Sequence, residues 1–239
     1  MSCCNFKGQA MKDEKALSVS EAVNSRIAMR AFRDKPVSGD LIRELLTTAT
    51  RSPSGGNLQP WHVFVLGGEE LECFKALMRD RMRANTRSEG AEYDIYPREL
   101  DEPYRTRREK CGEDMYATMN IARNDKPVRL AFIAGNFQFW GAPIGMFFCI
   151  DRKMGPPQWS DLGMYIQTLM LLAREAGLHS CPQEAWSLWH KTVSEFLSLP
   201  DNLMLFCGLA LGYADHHHPV SLLRTERAPL EEFATIRGI

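Results

Sequence analysis

The densest chemistry in this chain lies in Ser52-Pro53-Ser54-Gly55-Gly56-Asn57-Leu58-Gln59-Pro60-Trp61. Two prolines fix φ and remove backbone donors. Two adjacent glycines permit positive φ and let a ligand approach the main chain closely. Ser54 and Asn57 add short hydrogen-bonding side chains. This composition fits a plain helix-to-strand connection, and it equally fits a loop holding the edge of a planar, polar ligand. Upstream, Arg26 and Arg30 are four residues apart and share a face if a helix continues that far. Two guanidiniums on one face suit a phosphate, because arginine offers planar, multidentate donors. A solvated basic face is the alternative. Arg224 and Arg227 add cations near the other end of the chain.

Several catalytic signatures are missing. No Gly-x-Gly-x-x-Gly follows a strand, and there is no Walker-type phosphate loop or Gly-x-Ser-x-Gly elbow. No His-Glu-x-x-His occurs. His216, His217 and His218 are consecutive, so they cannot all face one ion, and no metal site is expected. Cations near both ends, a polar glycine loop and no nucleophile motif fit a bound anionic cofactor that carries the chemistry itself. No side chain is singled out as catalytic.

The elements that must position these groups follow from periodicity. Ser18 to Phe32 reads as a helix with an extended exit, with Glu21 three residues after Ser18 as in a capping box. Ser38 caps a second helix carrying Leu41, Ile42, Leu45, Leu46 and Ala49. His62 to Leu66 reads as a buried strand, with His62 structural. Glu69 to Arg83 returns to helical spacing. Ile144 to Ile150 is a central strand, Leu162 to Ala176 a buried helix capped by Ser160-Asp161, Trp186 to Leu197 a further helix, and Leu203 to Gly212 a long apolar strand. Residues 85–126 are charged and hold Tyr93, Tyr96, Tyr104 and Tyr116. They form either a solvated excursion or a lid over a pocket.

Bulk properties narrow the setting. At 239 residues with 44% apolar and 25% charged residues, the chain is an ordinary globular protein. A net charge of −1 gives no electrostatic case for nucleic acid or an anionic membrane. No window approaches the ~20 apolar residues of a transmembrane helix. Seven scattered cysteines form no Cys-x-x-Cys pair. Residues 1–17, which include Cys3 and Cys4, read as a flexible tail without an apolar core of signal-peptide length. A reducing cytoplasm is the expected setting, and residues 18–239 form one domain of mixed α and β structure around one sheet.

Together these stretches resemble the FMN-dependent nitroreductase family, from about Ala22 to the C-terminal segment. The strongest motif is Pro53-Ser54-Gly55-Gly56-Asn57 followed by Gln59-Pro60-Trp61. Arg26-Ile27-Ala28-Met29-Arg30-Ala31-Phe32 is similar to the family's Arg-Arg-Ser-x-Arg-x-Phe element, with Ile27 in place of the second arginine and Ala28 in place of the serine. Arg227-Ala228-Pro229-Leu230-Glu231-Glu232 is similar to its returning tail. Tyr96-Pro97-Arg98-Glu99-Leu100 and its surroundings most resemble members that reduce nitrobenzoates and dinitroanilines.

The resemblance implies an α/β, nitroreductase-like α+β fold, with a central mixed, mostly antiparallel sheet flanked by helices in an intertwined homodimer. It implies FMN at the subunit interface, contacted by Arg26, Ile27, Ala28 and Arg30 of one subunit and by Pro53, Ser54, Gly55 and Asn57 of the other. Arg30 would lie near the pyrimidine edge, Gln183 and Glu184 near the reactive ring nitrogen, and Arg224 and Arg227 with Arg26 at the phosphate. The implied activity is NADH- or NADPH-driven reduction of nitroaromatics to nitroso and hydroxylamino products with ping-pong kinetics. Reductive dehalogenation, other flavin chemistry and flavin sensing without turnover are the alternatives on the same scaffold.

Overall fold

The computed structural model describes residues 15–85 and 87–239. Cys3 and Cys4 of the expected tail lie outside the described residues, while Ala16 is buried and donates its N–H to Arg174 O at 3.1 Å. α1 (Val19–Ser25) starts at Ser18, whose Oγ accepts the Glu21 N–H at 3.2 Å. Glu21 returns its carboxylate to the Leu17 N–H, one residue upstream of an ordinary capping box.

The helix does not continue to Arg30. Arg26 is already extended at φ −68°, ψ 124°, because the following residues pair with the sheet instead. Met29 N–H donates to Ser180 O at 3.0 Å and Arg33 N–H to Tyr213 O at 2.8 Å. In an extended segment residues of equal parity point the same way, so Arg26, Ala28 and Arg30 still share a side.

α2 (Gly39–Ala49) is capped by Ser38, as expected, and buries Ile42, Leu45 and Ala49. β1 (His62–Gly67) is followed by α3 (Gly68–Ala84), α4 (Tyr104–Thr118) and α5 (Lys126–Ala134). β2 (Ile144–Asp151), α6 (Pro156–Glu175), β3 (His179–Gln183), α7 (His190–Leu197), β4 (Leu203–Gly212) and α8 (Leu230–Phe233) complete the order.

The strands form one sheet of order β1-β2-β4-β3, with every neighbouring pair antiparallel. A parallel bridge between Ala28 and Ser180 and an antiparallel one between Phe32 and Ala214 add the segment after α1 to this sheet. β1 is thus an edge strand with His62 and Val65 exposed, not the buried strand its composition predicts. β3 was hidden in the sequence by Pro182, which an edge strand tolerates.

Side-chain alternation splits the core into two layers. Met146, Phe148 and Ile150 of β2 pack with Leu45 of α2 and Leu162, Tyr165 and Leu169 of α6. Phe147 and Cys149 face the other way, onto Leu71, Phe74 and Met78 of α3, with Phe139 and Trp186. Gly208 and Gly145 provide flat floors for these two rings: a Cβ on Gly208 would stand 2.3 Å from Trp186, and one on Gly145 would stand 2.6 Å from Phe139.

α6 begins at Pro156-Pro157, six residues before Leu162. Proline is favoured where helical N–H groups lack partners, so Ser160-Asp161 does not cap the helix and the Asp161 carboxylate is free for another contact.

The charged stretch is anchored at both ends. Tyr93 stacks on Phe206 with ring centroids 5.9 Å apart and donates its hydroxyl to Phe206 O. The Glu89 carboxylate accepts the Thr192 N–H at 3.0 Å and its hydroxyl at 2.6 Å. Farther on, Arg129 of α5 grips Glu113 of α4 through two N–H···O contacts of 2.7 and 2.8 Å. Tyr96 and Tyr104 remain exposed, Tyr96 beneath the Arg108 guanidinium at 4.3 Å.

Candidate functional site

The bridge between Ala28 and Ser180 brings the first arginine segment beside β3, and with it Arg26 and Arg30 approach Cys181. Arg26 is half-buried and has no carboxylate partner among the described residues. Burial holds its guanidinium below the ordinary arginine range, and the neighbouring charge of Arg227 adds to this. Two guanidiniums crowded in this way favour an anion between them. Arg30 donates to Ala28 O at 3.3 Å. Ile27 and Ala28 are half-buried and bring no polar side chain to this group.

The C-terminal segment returns to the same place. Arg224 donates to Ser221 O at 3.0 Å and to Leu223 O at 2.7 Å, and burial lowers its pKa. Arg227 donates to Thr225 Oγ1 at 2.7 Å and to Glu226 O at 2.8 Å. A cleft of about 280 Å³ opens between this segment and α4, lined by Arg107, Lys110, Cys111, Thr225 and Arg227 among others. Arg107 pairs with Glu232 across it, and Lys110 with Glu226 at 3.5 Å.

At the end of β3, Gln183 is only 2% exposed. Its amide donates to Asn136 O at 2.8 Å and its oxygen accepts the Trp186 indole N–H at 3.3 Å. Glu184 follows at the start of a 3₁₀ turn, Glu184–Trp189. Burial raises its carboxyl pKa, and its charge is close enough to Tyr93 and Cys207 to oppose their ionisation.

The loop 53–57 is built separately. Gly56 and Asn57 hold φ of 58° and 55°, the left-handed region where glycine and asparagine are the least strained residues. Ser54 Oγ accepts the Gln59 N–H at 3.0 Å, which closes the loop on itself. Gly55 N–H donates to Asp161 Oδ2 at 3.1 Å, which docks it on α6. Pro53 and Asn57 are exposed. Trp61 anchors the exit by stacking on Tyr165, with centroids 4.8 Å apart.

One chain therefore assembles Arg26, Arg30, Arg224, Arg227, Gln183 and Glu184 around the β3 edge. It leaves Pro53, Ser54, Gly55 and Asn57 at the other end of α6. Two contributors were missed in the sequence. Asn136 and Trp140 lie in the 3₁₀ segment Gly135–Gly141, where Phe139 and Trp140 hold φ of 49° and 54°. Consecutive non-glycine residues in that region are costly and mark sites where the backbone shape matters. The only sequence signal was an aromatic run bracketed by Gly135 and Gly141.

The Nitroreductase family pattern matches residues 23–213. A 4-nitrobenzoate reductase of Pseudomonas putida is 38% identical over 216 residues, which span 90% of this chain and 94% of that protein. The crystal structure of an FMN and NADPH-dependent nitroreductase NfnB from Sphigopyxis sp. strain HMH superposes with a TM-score of 0.90 at 43% identity, covering 93% of this chain and all of that one. The FMN-dependent NfnB from Mycobacterium smegmatis, solved in complex with NADPH, gives 0.86 at 29% identity, covering 92% and 97%.

Proposed function

Because the chain belongs to the nitroreductase family, we propose that it is an FMN-dependent oxidoreductase that uses NADPH or NADH to reduce nitroaromatic compounds. The observation that carries this reading is the half-buried Arg26, without a described carboxylate partner, beside Arg227. This donor set fits a phosphate monoester, whose charge approaches −2 at neutral pH. FMN, when bound, supplies the hydride chemistry.

The chain's own residues would bind and orient. Arg26, Arg224 and Arg227 would hold the phosphate, and Arg30 would place a positive charge beside the ring system. Backbone N–H groups at Gln183 and Glu184 would serve the reactive edge. The first two-electron step converts a nitroarene, NAD(P)H and a proton into a nitrosoarene, NAD(P)⁺ and water. A second NAD(P)H and proton give the hydroxylamine. One face serving donor and acceptor in turn implies ping-pong kinetics.

The second half-site, Pro53, Ser54, Gly55 and Asn57, would come from a second copy of the chain in a homodimer. The span of α6 between the two groups supports this. The anchored stretch around α4 would form a wall or lid over the nitroaromatic. Among the described residues no helix is long and apolar enough to cross a membrane. The five described cysteines are free thiols, in keeping with a reducing cytoplasm.

The test is purification followed by release of the chromophore with heat or acid, then steady-state oxidation of NADH and NADPH with a panel of nitrobenzoates. Free FMN in the supernatant and acceptor-dependent turnover are expected. A colourless protein that takes up no added FMN sinks the reading, and a yellow protein without turnover reduces it to flavin binding.

A further inference from the structure

The Gln183 side chain is spent entirely inside the protein. Its Nε2 donates to Asn136 O at 2.8 Å and lies 3.4 Å from Asn136 Oδ1, while its Oε1 accepts the Trp186 indole at 3.3 Å. At 2% exposure it has nothing to offer a ligand except its backbone. Yet it ties together two segments that are remote in sequence. One is the turn Glu184–Trp189, which leaves the edge strand β3. The other is the strained aromatic segment Gly135–Gly141, in which Phe139 and Trp140 are left-handed. Phe139 and Trp186 then pack on one another at 4.8 Å, each against its floor glycine.

A buried amide that satisfies a carbonyl and an indole at once leaves little rotational freedom to the peptide that follows it. Replacing it by an apolar group leaves the Asn136 carbonyl and the buried Trp186 indole without this partner. The strain at Phe139 and Trp140 persists only if the surroundings over-determine it, and this amide is one of the groups that do so.

From this network we infer that Gln183 is a positioning residue. Its side chain fixes the orientation of the Gln183–Glu184 backbone against the Gly135–Gly141 segment, and so sets the reactivity of the bound flavin rather than its affinity. The inference rests on the proposed flavin reading.

The test uses the full chain loaded with FMN. Gln183→Met keeps the length and removes the amide, and Gln183→Glu keeps an acceptor for Trp186 and removes the donor. Leu45→Ala, in α2 and in the opposite core layer, is the reference for a general loss of stability. Expected for both Gln183 variants is FMN affinity within about threefold of wild type. The oxidised/reduced flavin equilibrium moves by about tenfold, which is about 30 mV for a two-electron couple. The rate of flavin reduction by NADPH falls by about tenfold. In Gln183→Glu the displacement relative to wild type shrinks as pH falls, because a buried carboxyl is readily protonated and can then donate to Asn136 O. Potentials and reduction rates matching Leu45→Ala in both variants, with no pH-dependent recovery, would overturn the inference while leaving flavin binding intact. A wild-type chain that binds no FMN overturns the flavin reading and this inference with it.

Discussion

Asp161 and Arg174 stand thirteen positions apart on α6 and hold the two halves of the candidate site. The Asp161 carboxylate accepts the Gly55 N–H, and Arg174 Nε donates to Ser25 Oγ, next to Arg26. At 1.5 Å per residue the helix separates these contacts by roughly 20 Å. Both residues are buried, so the separation is built into the core.

The first expected outcome concerns the anchor itself. Asp161→Ala leaves the Gly55 N–H without its acceptor, and a hydrogen bond to a charged group contributes about 1.5–3 kcal/mol. Urea unfolding should show a loss of that order, and FMN affinity should fall, with Asp161→Asn intermediate in both. Unchanged FMN affinity in Asp161→Ala would show that the loop does not reach the cofactor.

A shared site also makes a complementation experiment decisive. Arg26→Ala damages one half-site and Asn57→Ala the other. In a verified heterodimer of the two variants, one of the two sites carries neither change. FMN binding should recover above the better homodimer. No recovery excludes assembly of the site from two chains.

Arg30 and Arg227 should separate chemistry from affinity. A contact that strengthens on reduction changes the potential, whereas a uniform one changes only binding. Arg30→Gln is expected to lower the flavin midpoint potential and slow its reduction by NAD(P)H with FMN saturating, on a scale of about 1.5–3 kcal/mol. Arg227→Gln is expected to weaken FMN retention and leave the potential near wild type, because phosphate charge does not follow the redox state. Potentiometry and stopped-flow reduction of both variants decide; equal potentials for Arg30→Gln and wild type would move Arg30 to the phosphate.

His179 predicts acid lability. It is fully buried, and neither ring nitrogen has a described hydrogen-bond partner. Burial, then the charges of Arg174, His216 and Arg224, lowers its pKa from 6.5 to about 2. The folded state therefore holds it neutral while the unfolded state protonates it near 6.5. Its contribution is fully present above that pH and is lost as pH falls below it, by up to about 1.4 kcal/mol per pH unit. Urea midpoints between pH 7.5 and 5 should decline less steeply in His179→Leu than in wild type. Parallel declines would show that another group controls the acid limb.

The fold was legible where one face or one run dominates. Leu203 to Gly212 is apolar throughout and is a central strand, and the Ser38 cap marks α2 without help from the rest of the chain. It was illegible where tertiary pairing decides. Nothing local ends α1 before Arg26; the Ser180 carbonyl does so by taking the Met29 N–H. β3 carries His179, Pro182 and Gln183, and its strand character comes from its register with β4. At the site, the Pro53 to Asn57 loop could be read because proline and glycine dictate backbone shape directly. Asn136 could not, because its shorter contact with Gln183 is made by a main-chain oxygen, which any residue type would supply.

The floor glycines have a consequence for how this protein can change over time. Nothing larger than hydrogen fits at Gly208 while the Trp186 indole is present, and Phe139 imposes the same condition on Gly145. Conversely, trimming either ring opens a void that its glycine cannot fill. Substitutions at each pair are thus harmful singly and tolerable only together, so single-step drift is blocked at both. Sequences of this fold should therefore show these positions varying as linked couples, glycine with a large ring or a bulkier floor with a smaller one.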